Sequence, residues 1–309
     1  MINRTDRIVG GLVGMLVGDA LGVPYEFHSA ESIPQRSQIE YDPPAGFGRT
    51  HKGVEPGTWS DDGAQALCLL ASLLDRGRFD PDDLGERIVR WYAIGYMAVA
   101  GEVFDVGITT AAAIQEIRSG TKAIFAGPKD QYDNGNGSLM RVLPLVLWHH
   151  GSDASLVLEA RAQSCVTHGH VRSQICCALY CLWARRVLDE HDDPWNDATK
   201  TLRTLIAGDD AAIEELEFQI RPDVLEEGNG SGYVVDCLRS ARWVLQEPTF
   251  EDVVRSAIAL GRDTDTTACV AGGIAGIRFG IDGIPERWVN ALRGRELYEP
   301  LLDRLLALD

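Results

Sequence analysis

An all-α fold is predicted by three observations in the sequence. Nowhere in the 309 residues do apolar and polar positions alternate with period two between turn residues, as a half-buried strand requires. The apolar residues recur instead at helical spacing behind residues that cap helix N-termini. Two glycine series also fall four residues apart: Gly10, Gly14, Gly18 and Gly22 near the start, and Gly272, Gly276 and Gly280 near the end. Residues four apart share a helix face, and each glycine inside a helix costs roughly 1 kcal/mol relative to Ala. Close approach by a second helix offsets that cost, so the two glycine faces are expected to pack together and join the ends of the chain.

The elements follow in order. A first helix is expected over 5–21. Residues 28–58 are rich in Pro, Gly and polar residues and read as a long loop. Ser60 is placed to cap a helix carrying the apolar-periodic run 64–74, with Asp61 and Asp62 in its first turn. Further helices are expected over 82–97, up to about 118, from about 139, and over 153–164, 171–188, 197–206, 211–218, 232–246 and 250–260. A last one starts within Asp263-Thr264-Asp265-Thr266. No repeat of 20–50 residues and no linker divides the sequence, so residues 1–309 are expected to form a single domain.

Composition narrows the function. With 45% hydrophobic and 24% charged residues, the chain has the make-up of a soluble globule. No basic segment leads into an apolar core at the start, and the seven Cys lack a framework spacing, which points to reduced thiols and a cytoplasmic protein. The glycine-rich helix near the end is too short a run to cross a membrane and contains Arg278. The net charge of −17 argues against nucleic acid as a partner. Residues 189–227 hold thirteen Asp/Glu against three Lys/Arg, the pattern of a solvated periphery.

Several clusters carry possible chemistry. Asp263 and Asp265 cannot face each other on a helix, so they converge only at a loop or a helix start. Capping accounts for one Asp there; two, followed by Thr266, also suit a hard cation such as Mg²⁺ or Mn²⁺. Ser60-Asp61-Asp62 repeats the theme at a second helix start. So many carboxylates in one pocket would repel unless a cation held them. If the glycine faces meet, Asp19 and Glu26 lie near the Asp pair. Gly135-Asn136-Gly137-Ser138 before a helix could cradle an anion or serve as a turn and cap. His168, His170, Cys177 and Cys181 admit a zinc reading, against which buried free Cys is the commoner role.

Together these segments resemble the ADP-ribosylglycohydrolase family over nearly the whole chain. The residues that carry the resemblance are Gly18-Asp19-Ala20-Leu21-Gly22 with Glu26, Trp59-Ser60-Asp61-Asp62, Asp105-Val106-Gly107-x-Thr109-Thr110, Gly135-Asn136-Gly137-Ser138-x-Met140-Arg141, Thr167-His168 and Asp263-Thr264-Asp265-Thr266. The Asp105 segment and Ile284-Pro285-x-Arg287-Trp288 are similar to the bacterial dinitrogenase reductase-activating type, which removes ADP-ribose from arginine. The resemblance implies a compact orthogonal multi-helix bundle with two divalent cations, Mg²⁺ or Mn²⁺, at the base of a cleft. It implies Ser60, Asp61, Asp62, Asp263, Asp265 and Thr266 as their ligands, with Glu26 binding metal or gating the cleft. Gly135, Asn136, Gly137, Ser138 and His168 would hold the diphosphate and ribose, and Phe104 or Tyr132 would stack on adenine. Asp105 would assist proton transfer, with Asp61 also in the catalytic group. The implied partner is an ADP-ribosylated protein, with ADP-ribose as product. Hydrolysis of an O-linked (serine or O-acetyl) ADP-ribose, a non-catalytic binder and a di-metal phosphoesterase are the competing readings. Two departures stand out: Gly63, where the family usually has Thr, and Arg262, where a small residue is common.

Overall fold

A computed structural model describes residues 2–308. In chain order its α-helices are α1 (Arg4–Gly22), α2 (Asp61–Arg76), α3 (Pro81–Ile94), α4 (Ile108–Arg118), α5 (Leu143–Trp148), α6 (Asp153–Cys165) and α7 (Val171–Leu188). They continue with α8 (Pro194–Leu205), α9 (Asp210–Glu214), α10 (Val234–Val244), α11 (Phe250–Ala259), α12 (Thr264–Phe279), α13 (Glu286–Ala291) and α14 (Arg295–Leu306). Among the described residues there is no strand; two isolated backbone pairings, Ser29 with Gly261 and Gly135 with Tyr233, are the nearest approach to one. The all-α class is as the sequence predicts.

The centre of the molecule is the α1–α12 pair, and the glycine faces meet there. A Cβ on Gly10 would lie 2.3 Å from the Gly276 carbonyl oxygen, one on Gly14 2.6 Å from that of Gly272, and one on Gly18 2.1 Å from that of Ala268. Helix backbones therefore touch with no side chain between them. Gly280 differs from expectation in one respect: it ends α12 at φ 68° and ψ 174° rather than continuing it, a backbone region essentially open only to glycine. Helices α7, α10 and α11 pack on α12, and α2 and α5 lie against α1 and each other. The span Arg4–Tyr25 is long and apolar enough to cross a membrane, but 94% of its 18-residue apolar window is buried inside this bundle. The acidic stretch 189–227 forms α8, α9 and the turns around them, where Arg203 pairs with Glu217 and Asp223, and Arg161 with Asp209.

Several helix boundaries move from the expected ones for identifiable reasons. The helix expected from residue 139 starts at Leu143, because Leu139 and Met140 turn back to bond the Asn136 carbonyl and Pro144 sits in the first turn of α5. Pro194 likewise starts α8 three residues early. Gly95 at φ 69° stops α3 before residue 97. Beyond α9 the chain widens into a π-turn at Glu215–Ile220. Helices α13 and α14 escaped the sequence reading. Helix α13 is short, and Pro300 inside α14 masks its helical pattern.

Candidate active site

The close α1–α12 contact brings the N-terminal ends of α2 and α12 to one place. Capping of α2 is done by residues other than its acids. Asp19 of α1 accepts the Ser60 N–H at 2.9 Å and the Gly63 N–H at 2.8 Å, and Ser60 Oγ accepts the Asp62 N–H at 3.3 Å. The first-turn donors are thus satisfied from elsewhere, and Asp61 and Asp62 are left to face inward. At α12, Asp263 occupies the cap position without a side-chain cap bond; its Oδ2 accepts Asn136 Nδ2 at 2.8 Å instead. Capping therefore does not account for Asp61, Asp62 or Asp263.

What remains is a buried carboxylate cluster short of partners. Asp62 Oδ1 accepts Thr266 Oγ1 at 3.2 Å, which ties the two helix starts together. Asp62 Oδ2 and both oxygens of Asp265 are buried with no hydrogen-bond partner in the protein. Glu26, Asp263 and Asp265 offer oxygens that all lie within 4.8 Å of one another. Burial pushes the Asp61, Asp62 and Asp265 carboxyls well above the carboxylate range, and their acidic neighbours push them further. Glu26 rises to about 10, first by burial and then by Asp105 and Asp263. Asp19 rises only to about 7, since the Ser60 and Gly63 N–H groups offset part of its burial. Unpartnered buried oxygens of this kind are costly. A divalent cation with all-oxygen coordination would supply the missing partner, so the donor set fits such an ion.

A second group sits beside the first. Glu26, His51 and Asp105 also bring ligand atoms within 4.8 Å of one another, and His51 Nε2 lies 2.7 Å from Glu26 Oε2. Asp105 is raised to about 6 by burial and by Asp263. His51 was not anticipated, because a lone His in the 28–58 loop gives no local signal. Backbone strain concentrates here: Phe27 (φ 63°), His51 (φ 50°), Asp105 (φ 54°) and Arg262 (φ 63°) all hold left-handed conformations, each at a cost of roughly 1–3 kcal/mol.

The glycine loop forms the adjoining wall. A Cβ on Gly137 would lie 2.8 Å from His168 Cε1, so the loop can lie on the imidazole only as glycine. His168 itself is buried, bonds Thr167 Oγ1 at 2.8 Å, and is held down to about 3 by burial and by Arg141, hence neutral. The Ser138 hydroxyl is buried in the core, where it meets Ser164 Oγ at 2.9 Å and Cys177 Sγ. With α5 starting only at Leu143, no helix N-terminus directly follows the loop, and an anion would be met by loop N–H groups instead. Asn136 N–H is taken by the Gly232 carbonyl; those of Gly135, Gly137 and Ser138 lie outside that bond. Beneath the loop, the fully buried Arg141 donates to Gly137 O at 3.2 Å and Gln65 Oε1 at 3.0 Å, and Gln65 Nε2 donates to Asp61 Oδ2 at 3.1 Å. This chain links the glycine loop to the carboxylates. A lone Arg in the apolar run 139–147 was its sequence signal.

The ADP-ribosylglycohydrolase family pattern matches residues 1–309 in full. The chain belongs to the ADP-ribosylglycohydrolase family. It is a glycohydrolase by that kinship. The ADP-ribosylarginine hydrolase Tri1 of Pseudomonas putida is 31% identical, covering 98% of this chain and 80% of the relative. The ADP-ribosyl-[dinitrogen reductase] glycohydrolase of Rhodospirillum rubrum is 29% identical, covering 98% and 96%. The ADP-ribosylhydrolase ARH3 of Danio rerio is 26% identical, covering 98% and 90%. A solved structure described as an ADP-ribosylglycohydrolase-related protein complex superposes with a TM-score of 0.79 at 31% identity, covering 99% of this chain and 98% of that one.

Within the family frame, the departure at Gly63 has a local cause. A Cβ there would lie 2.7 Å from Trp59 Cγ and 2.8 Å from Leu16 Cδ2, so the buried Trp59 ring occupies the space a larger residue would need. Trp59 also presses on Gly294 and meets Tyr298 of α14 edge-on. The two aromatics considered for adenine are placed differently. Tyr132 is 88% exposed just before the glycine loop, whereas Phe104 lies with its ring centroid 5.0 Å from that of His51. Cys177 and Cys181 are buried in α7, and the groups able to hold a metal ion among the described residues are the acidic ones with His51.

Proposed function

We propose that this protein removes ADP-ribose from arginine side chains in a reaction that requires two divalent cations, Mg²⁺ or Mn²⁺. One observation carries the reading: buried carboxylate oxygens of Asp62 and Asp265 stand without protein partners next to Glu26, Asp263 and the adjoining Asp105. Asp61, Asp62, Asp263 and Asp265, with Ser60 and Thr266, would hold the ions, and Glu26 would hold or gate them. The bound ions would supply Lewis-acid activation at the distal ribose. Two of the relatives reported above are arginine hydrolases by name or act on dinitrogen reductase by name.

The residues divide the work. Gly135, Asn136 and Gly137 over His168 receive the diphosphate and proximal ribose, with Tyr132 beside them for adenine. As the C1″–N bond breaks and a water oxygen bonds C1″, the water loses a proton and the departing guanidine gains one. Asp105, grouped with Glu26 and His51, would carry that proton and stabilise the guanidinium that forms. Asp105 holds a left-handed backbone, φ 54°, strain of the kind found at functional sites.

The similarity to ARH3 proteins keeps O-linked ADP-ribose as the second reading. A non-catalytic binder would have little reason to retain unpartnered buried carboxylates. We also take residues 1–309 as one domain working in the cytoplasm on ADP-ribosylated protein, with no role for nucleic acid or membrane. The test is a panel of ADP-ribosyl-arginine, ADP-ribosyl-serine and a simple phosphodiester, each with Mg²⁺ and with chelator. Release of ADP-ribose fastest from the arginine conjugate, and abolished by chelator, is the expected result. Faster cleavage of the serine conjugate would replace the first reading by the second, and cleavage of the phosphodiester alone would discard both.

A further inference from the structure

The aromatic side chains on the Glu26 side of the carboxylates have no part in the chemistry so far. Phe27 follows Glu26, is 69% exposed and sits at φ 63°, pinned by its N–H to the Arg262 carbonyl at 2.6 Å. A bulky residue in that region is strained, and this one gains no burial in return. Its ring centroid lies 6.0 Å from that of His51, which lies 5.0 Å from that of Phe104. The same His51 bonds Glu26 and shares the cluster with Asp105. An aromatic surface open to solvent thus borders two carboxylates. Anions are repelled there, and a purely apolar group would leave the carboxylates unmatched. A planar delocalised cation suits both, with its N–H edge toward a carboxylate and its face on the rings.

We propose that Phe27, His51 and Phe104 form the subsite for the leaving guanidinium of an ADP-ribosylated arginine, with Asp105 as its carboxylate edge. The proposal rests on the arginine reading above. The contacts of the carboxylates agree with it. The glycine loop reaches Asp263 through Asn136, Asp263 shares a cluster with Glu26, and Glu26 shares the next with His51 and Asp105. The loop and the aromatic rings thus meet the carboxylates through different residues, Asn136 at Asp263 and His51 at Glu26. A serine-linked substrate brings no planar cation to this surface, so the subsite selects for arginine.

The experiment compares the parent with Phe27→Ala, Phe27→Trp and Phe104→Leu, in Mg²⁺. KM and kcat are measured on ADP-ribosyl-arginine, and ADP-ribose affinity by calorimetry. Phe27 is exposed, so its variants are expected to fold. The expected result for Phe27→Ala and Phe104→Leu is a rise in KM of about 3- to 30-fold, the range of a cation–π contact, with ADP-ribose affinity unchanged. Phe27→Trp should restore KM. If ADP-ribose affinity falls in step with KM, the rings serve adenine or ribose and the assignment is overturned. If the parent cleaves the arginine conjugate and Phe27→Ala keeps the parent KM, the subsite alone is wrong. If the parent does not cleave it, the subsite falls together with the arginine reading.

Discussion

Removing divalent cations should make stability fall as pH rises, and restoring them should cancel the fall. A carboxyl with a raised folded-state pKa stays protonated in the folded chain, while the unfolded chain ionises above about 4. Folding then takes up a proton, and its stabilising effect is lost as pH climbs toward the folded value. Glu26, raised from 4.5 to about 10, is in that state throughout pH 7–8. It alone lowers stability by about 1.4 kcal/mol per pH unit. Asp61, Asp62 and Asp265 are shifted the same way and steepen the slope. His168 and His149, held at about 3 and about 4 by burial, act in the opposite direction but mostly below pH 6.5. The buried thiols join the fall only near their ordinary value of 9.0. The window pH 7–8 therefore isolates the carboxylates. Urea unfolding in chelator should lose about 1 kcal/mol or more across it, whereas the Mg²⁺-loaded protein, with its carboxylates ionised in the folded state, should be flat or rise. Equal slopes with and without Mg²⁺ would refute the reasoning.

Three further predictions concern packing and the carboxylates. Gly276→Ala gains helix propensity but places Cβ 1.9 Å from the Gly10 carbonyl oxygen; thermal melting should show a loss of about 1–3 kcal/mol or more, and a parental melt would mean the α1–α12 contact is looser than described. Asp265→Ala removes two oxygens that have no protein partner, so calorimetry should show weakened metal binding while unfolding in chelator shows equal or higher stability. Gly63→Thr, although it restores the usual family residue, should destabilise by about 1–3 kcal/mol against Trp59 and Leu16; an unchanged denaturation midpoint would show that the Trp59 ring can move aside.

The sequence disclosed what has a short-range or periodic signature. Glycines spaced by four announced the α1–α12 contact, because only bare backbone allows that approach. Hydroxyl–Asp–Asp and Asp–Thr–Asp–Thr motifs announced the carboxylate centre. They did not reveal that Asp19 and Ser60 do the capping and so free Asp61 and Asp62, since that depends on α1 meeting the start of α2. His51 and Gln65 were invisible for the same reason: each acquires its role only through a partner far along the chain, Glu26 in one case and Arg141 in the other. Ser138 illustrates the converse. Its motif suggested a substrate contact, whereas its hydroxyl is spent in the core on Ser164.

The most direct test of the central claim is the rate of ADP-ribose release from ADP-ribosyl-arginine by the parent and by Asp105→Asn, both in Mg²⁺, alongside ADP-ribose affinity. The account predicts ready release by the parent and a loss of about 10²- to 10⁴-fold in kcat for Asp105→Asn, with ADP-ribose bound equally well by both. Parental turnover in Asp105→Asn, or no release from the arginine conjugate by the parent, would contradict it.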